Sequence, residues 1–215
     1  MVKKRLRFCR QYRDWSAEQW NDVMFSDEST FRIVNPRSVT VRRPKTMSRY
    51  LQRYTVATVK HSASVMVWGC FSGKKGRGGL YFLPTNQTMN GQRYKEVLDS
   101  HLLPFMRIHN CRFFLQDGAP CHKSKVVMES LKKEKFTIID WPGNSPDLNP
   151  IENCWSYMKA KLKDDASVTS IPKLIAAIKK MWVKELPQEY FKKLAHSMPR
   201  RIQEVISSHG SMTKY

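Results

Sequence analysis

An apolar strand run, CRFFLQD (111–117), is followed by a basic helical stretch at about 123–134 and then by a second strand run, FTIIDW (136–141). A further helix starts after the loop PGNSPDLNP (142–150), with Ile151, Trp155, Met158 and Leu162 along one face. Upstream lie VMFSDESTFRIVN (23–35), TVATV (55–59), SVMVWGCFS (64–72) and the short run LYFLP, all rich in β-branched and aromatic residues. Strands followed by strand–helix–strand–helix argue for a mixed α/β or α+β fold, a central sheet with helices packed on it. SVMVWGCFS is apolar enough for a central strand, because a strand covered on both faces has no polar alternation.

The remaining segments fit around that sheet. Residues 3–20 read as a basic lead-in helix. The polar SDES inside 23–35 suggests two strands joined by a tight turn, and GKKGRGG (73–79) reads as a flexible basic turn. Residues 90–106 place Tyr94, Val97, Leu98, His101, Leu102 and Phe105 on one helical face. The tail, 170–208, holds two or three helices, with Pro187 and Pro199 at favourable first-turn positions. The expected organisation is a lead-in segment 1–20, a core 21–165 carrying a basic loop at 36–54, and C-terminal helices 166–215.

Charge restricts the partner. The 215-residue chain has 38 Lys and Arg against 18 Asp and Glu, a formal net charge of +20. That excess favours a polyanion, first of all nucleic acid. Arg37, Arg42, Arg43, Lys45, Arg49 and Arg53 crowd one loop, Lys74, Lys75 and Arg77 another, and His122, Lys123 and Lys125 follow Asp117. These are candidate phosphate contacts, which position DNA without reading its sequence. No apolar run approaches the ~18 residues of a membrane span. The five cysteines (Cys9, Cys70, Cys111, Cys121, Cys154) are scattered and odd in number, which suits free thiols in cytosol or nucleus. With His101, His109 and His122 they match no common zinc spacing.

Three acidic residues stand where a scaffold can hold metal ligands. Asp27 closes VMFSD, Asp117 closes CRFFLQD, and Glu152 lies in the first turn of a helix after a rigid loop. Carboxylate oxygens suit Mg²⁺, and two such cations about 3.5–4 Å apart can drive phosphodiester cleavage. Each residue also admits a purely structural role. Asp27 and Asp117 can shape turns. Asn149, Pro150 and Glu152 come close to a capping box, the glutamate turning back to the cap's backbone N–H. Asp140, Asp147 and Glu28 compete less well for the metal-binding roles.

Four strings, SDES (26–29), VWGCFS (67–72), LQDGAPCH (115–122) and WPGNSPDLNPIENCW (141–155), resemble the Tc/mariner superfamily of cut-and-paste DNA transposases. The 34 residues between Asp117 and Glu152 match the Tc branch, with glutamate third. The resemblance implies an RNase H-like fold and assigns Asp27, Asp117 and Glu152 as the catalytic triad, binding two Mg²⁺ (or Mn²⁺). It implies cleavage at transposon ends and transfer of the freed 3′-hydroxyls to TA target sites in double-stranded DNA, in the nucleus. The loop 36–54 would act like the family's clamp loop, which contacts a partner subunit. Such transposases act as homodimers or higher assemblies on DNA. They also begin with a helix-turn-helix region, for which this chain has no room, so an excised fragment, a truncated copy and a host-retained derivative are the alternatives, and a lone fragment could be monomeric. The competing functional class is a catalytically silent DNA-binding or interaction protein.

Overall fold

The computed structural model describes residues 1–33, 42–44, 46–48, 51, 54 and 63–215. The strand expected at 55–59 and most of the basic loop, with Arg37, Lys45, Arg49 and Arg53, lie outside these residues. Five strands form one mixed sheet in the order β3-β2-β1-β4-β5. They are β1 (Val23–Arg32), β2 (Ser64–Ser72), β3 (Gly76–Phe82), β4 (Phe113–Leu115) and β5 (Thr137–Ile139). The first three are antiparallel neighbours, whereas β4 pairs in parallel with β1 and with β5.

β1 is one unbroken strand, not two joined at SDES. Its whole length pairs with β2, Ser26 facing Cys70, Asp27 facing Gly69 and Glu28 facing Trp68. A continuous backbone ladder outweighs the turn preference of Ser and Asp. On its other side β1 pairs with β4 only from Val23 to Phe25. The polar residues therefore begin where the parallel pairing stops, and the Ser26 hydroxyl closes that point by donating to Leu115 O at 3.0 Å. β3 likewise starts inside the expected basic turn, with Gly76 paired to Ser72 and at φ +77°, a conformation glycine adopts without strain.

Alternation along the strands divides the core into two layers. Val23, Phe25, Phe31, Val67, Phe71 and Leu115 belong to one layer. It is filled by α1 (Val2–Gln11), α2 (Ala17–Asn21), α6 (Ile151–Lys163), α7 (Ile171–Lys180), α8 (Gln188–His196) and α9 (Met198–Ser207). Met24, Trp68, Cys70 and Phe114 face the other layer, against α3 (Gly91–Val97), α4 (Leu103–His109) and α5 (Lys125–Leu131). One wider π turn, Leu98–Leu102, joins α3 to α4. The lead-in segment is two helices, because Ser16 and Gln19 form a reciprocal capping box that starts α2 afresh. Among the described residues no helix is long and apolar enough to cross a membrane.

Candidate active site

Asp27 shares the odd-numbered face of β1 with Phe25, the face on which α6 packs. It is partly buried. Burial, then the negative charges of Glu152 and Glu28 and, more weakly, of Asp117, push its carboxyl up to about 8. Carboxyl groups from β1, the turn after β4 and the first turn of α6 thus all act on Asp27, though 34 residues separate Asp117 from Glu152 and 89 separate Asp27 from Asp117. Asp27 sits mid-strand rather than at a strand end, and Asp117 lies two residues beyond β4.

Two devices bring Glu152 to that point. The first is Asn149. It is buried, and its Nδ2 donates to Ser26 O at 3.2 Å, tying the start of α6 to the residue before Asp27. Its Oδ1 has no partner among the described residues, and α6 begins with no side-chain cap. The capping box expected of Asn149 and Glu152 therefore does not form, and the glutamate is left to face the other carboxylates.

The second device is Gly69, opposite Asp27 in the sheet. A methyl group there would stand 2.7 Å from Trp155 Cη2 and 2.9 Å from Leu80 Cδ2. The missing side chain lets the fully buried Trp155 of α6 lie directly on β2, stacked with Trp182 and edge-on to Phe31. Gly69→Ala is expected to cost about 1–3 kcal/mol through overpacking. It would also push α6 outward, and ~1 Å of misplacement can cost roughly 100-fold in rate. Thermal melts and plasmid-nicking rates on the variant check both numbers; parent-like values would remove Gly69 from this role.

The loop before α6 is locked from beneath. Asp147 is buried and accepts Arg5 Nη1 and Nη2 at 2.8 and 2.7 Å, and the Thr213 N–H and hydroxyl at 2.9 and 3.0 Å. Arg201, also buried, donates to Asp147 O at 2.7 Å and to Asn153 Oδ1 at 2.6 Å. Asp147 is thus a structural anchor, not a competitor for metal. Asp140 lies at the surface, 3.7 Å from Arg7. Glu28 is committed to His122, whose Nε2 stands 3.0 Å from Glu28 Oε1.

His122 corrects the expectation of a phosphate contact. It is 2% exposed, and its Nδ1 lies 2.7 Å from Asp117 Oδ1. Burial resists its protonation, but the hydrogen bonds and charges of Asp117 and Glu28 outweigh that and raise its pKa to about 10. The same His122 bond, against some burial, holds Asp117 below the ordinary carboxyl value, helped by the Ala119 N–H. Asp117 Oδ1 accepts that N–H at 2.9 Å, so the turn role also exists. Lys74, exposed, pairs with Asp22 at 3.2 Å, and Arg77, also exposed, donates to Leu186 O at 3.4 Å. Arg42, Arg43, Lys75, Lys123 and Lys125 are exposed. Further polar side chains that the sequence did not single out lie on α1. Lys4, Arg7 and Gln11 form one wall of a cleft of about 390 Å³, whose other walls include Asp117, Lys123 and Trp141–Asn144. Their helical spacing, i, i+3 and i+7, was the available signal.

The three candidate carboxylates offer only oxygen donors, from β1, the turn after β4 and α6, which suits a hard divalent cation. Among the described residues no three of His, Cys, Asp and Glu are already gathered closely enough to hold one. Like charges resist gathering, and Asp117 is drawn toward His122. A cation would supply the compensation that the Asp27 carboxyl lacks.

The family model of the DDE superfamily endonucleases matches residues 22–175. The Tcb1 transposase of Caenorhabditis briggsae is 35% identical over 99% of this chain and 77% of its own length. The Tc1 transposase of Caenorhabditis elegans is 34% identical over 98% and 77%. The fold superposes on the Mos1 mariner paired-end complex with Mn at a TM-score of 0.81, with 19% identity, covering 99% of this chain and 63% of that one. The catalytic domain of Mos1 mariner transposase gives 0.73 at 17% identity over 99% and 95%. That likeness shows the RNase H-like fold expected from the four sequence strings. The chain belongs to the DDE superfamily endonucleases and, within them, to the Tc1/mariner transposases, whose catalytic domain it comprises.

Proposed function

We propose that this chain cuts DNA and joins the freed 3′-hydroxyl to target DNA, with Asp27, Asp117 and Glu152 holding two Mg²⁺ or Mn²⁺. The influence of Glu152 and, more weakly, of Asp117 on the Asp27 carboxyl, from elements remote in sequence, supports the reading. Mos1 structures contain Mn in one paired-end complex and Mg in another, which supports the same ion class here. Bound cations would strengthen the attacking water or 3′-hydroxyl and stabilise the leaving oxygen.

The protein's own part is positioning. Lys123, Lys4 and Arg7 line the cleft that opens on Asp117 and would hold phosphates of the strand entering the site. DNA therefore meets carboxylates and lysines side by side, the cationic wall offsetting the repulsion that the carboxylates exert. On this reading synapsis of two transposon ends calls for at least a dimer, and the work is done in the nucleus. Mos1 is known in a paired-end complex with the left transposon end, which supports the paired assembly.

Supercoiled plasmid incubated with the chain should be nicked in Mg²⁺ or Mn²⁺ and untouched in EDTA. Precut duplex ends should then be joined to TA-containing plasmid. Nicking that survives EDTA, or none in Mn²⁺, overturns the reading; nicking without joining reduces it to a nuclease. DNA affinity measured without metal should fall with salt at a log–log slope near −5, if about six phosphates are neutralised. A flat profile would exclude the basic cleft as the DNA path.

A further inference from the structure

His122 occupies a site built around it. Its imidazole stacks on the buried Tyr94 ring at 3.9 Å between centroids and 27° between planes. The Tyr94 hydroxyl in turn donates to Gln116 Oε1 at 2.7 Å, next to Asp117. The His122 backbone N–H is tied to Ala119 O at 3.0 Å. With the ring so fixed, Nε2 meets Glu28 Oε1 at 3.0 Å and Nδ1 meets Asp117 Oδ1 at 2.7 Å. Asp117 Oδ1 thus has two donors beside it, the Ala119 N–H at 2.9 Å and His122 Nδ1 at 2.7 Å, and Nδ1 also lies 3.3 Å from Asp117 O. Among the described residues Oδ2 carries none. Glu28 and Asp27 are consecutive on β1 and point to opposite faces, so the same strand supplies both a carboxylate of the triad and the brace for the histidine.

We propose that His122, braced by Glu28, is a positioning residue that fixes the Asp117 rotamer and leaves Oδ2 as the oxygen offered to the divalent cation. The inference rests on the metal-binding role given above to Asp117. It follows a general pattern in which outer hydrogen bonds orient a ligating group and set its affinity. A free carboxylate pivots about two bonds and offers either oxygen. One with Oδ1 doubly bound has a single oxygen left and loses that freedom before the cation arrives. The Tyr94 stack holds the imidazole plane, and Glu28 chooses the ring orientation that aims Nδ1 at Asp117.

The test separates the two ring nitrogens. Asparagine at 122 keeps an amide N–H near the Nδ1 position, whereas glutamine places its amide near Nε2. Mn²⁺ binding is read by electron paramagnetic resonance of the free ion, beside thermal melting and DNA affinity in EDTA. His122→Gln should weaken Mn²⁺ binding about 10- to 100-fold, while His122→Asn recovers most of it, with melting and DNA affinity equal in the two. Glu28→Gln, which preserves an acceptor for Nε2, should fall between His122→Gln and the parent. Parent-like Mn²⁺ affinity in His122→Gln overturns the proposal. So does an equal loss in both variants accompanied by equally lowered melting, since that is a packing role alone. Asp117→Ala serves as reference. If it binds Mn²⁺ as the parent does, the triad assignment itself fails; if it loses binding while His122→Gln does not, only the present inference fails.

Discussion

Asp117→Ala is expected to slow metal-dependent plasmid nicking by on the order of 1,000-fold, with DNA affinity in EDTA unchanged. Metal-ion catalysis supplies several kcal/mol of transition-state stabilisation, and each ~1.4 kcal/mol is tenfold in rate. Asp27→Ala and Glu152→Ala should lose comparable activity if, as proposed, the three carboxylates hold the cations jointly. Residues that act as a unit are not additive, so pairing any two of these changes should cost little beyond the first. Stability is expected to move the other way. Asp27 lies partly buried under the charges of Glu152 and Glu28, and Asp27→Asn removes that repulsion. The inactive variant should therefore melt no lower than the parent, a trade familiar from sites that hold strain for function. Nicking by Asp117→Ala at the parent's rate would defeat the catalytic assignment outright.

The sequence singled out Asp27, Asp117 and Glu152 as candidates because they sit in locally recognisable places: an apolar strand run ending in aspartate, and a proline-rich loop leading into an amphipathic helix. It also exposed the sheet, since the apolar runs at 64–72, 111–117 and 136–141 each contain a strand. What it concealed depends on long-range geometry. The turn preference of SDES is a local signal, and only the β2 ladder reveals that β1 passes straight through it. Asn149 looked like a helix cap because that is what asparagine before proline does locally; its partner, Ser26 O, is 123 residues away. His122 was grouped with Lys123 and Lys125 by adjacency, yet its ring turns inward to Glu28, 94 residues distant. Gly69 carried no signal by itself, as its reason is the indole of Trp155. Pairings of this kind have no periodicity to read, and the functional arrangement depends on them more than on any single element.

The buried Arg5–Asp147 pair carries the largest expected change in stability. Replacing Asp147 by alanine should lower the unfolding free energy by about 3–5 kcal/mol, since it strands a buried guanidinium. The side chains are 2% and 1% exposed, so solvent cannot compensate the stranded charge. In a domain of this size that corresponds to roughly 10 °C of melting temperature. The loss is expected to be concentrated where Asp147 ties three chain segments together, α1, the Gly210–Thr213 end and the loop ahead of Glu152. Nicking should accordingly fall even at temperatures where the variant stays folded. Arg5→Met with Asp147→Leu should recover much of the stability, because an apolar pair of similar volume has no charges to desolvate. The pH dependence has a definite sign. Burial opposes ionisation of Asp147, but the Arg5 bonds and the Thr213 N–H and hydroxyl prevail and hold its pKa below the ordinary value. A carboxyl lowered in the folded state stabilises fully above the unfolded value near ~3.9 and loses that contribution as pH falls through its folded value. Urea unfolding at pH 7 and at a series of pH values descending well below ~3.9 should therefore show the parent and Asp147→Ala converging in acid. Curves that stay equally separated across the series would mean that the ionised pair is not what holds this loop.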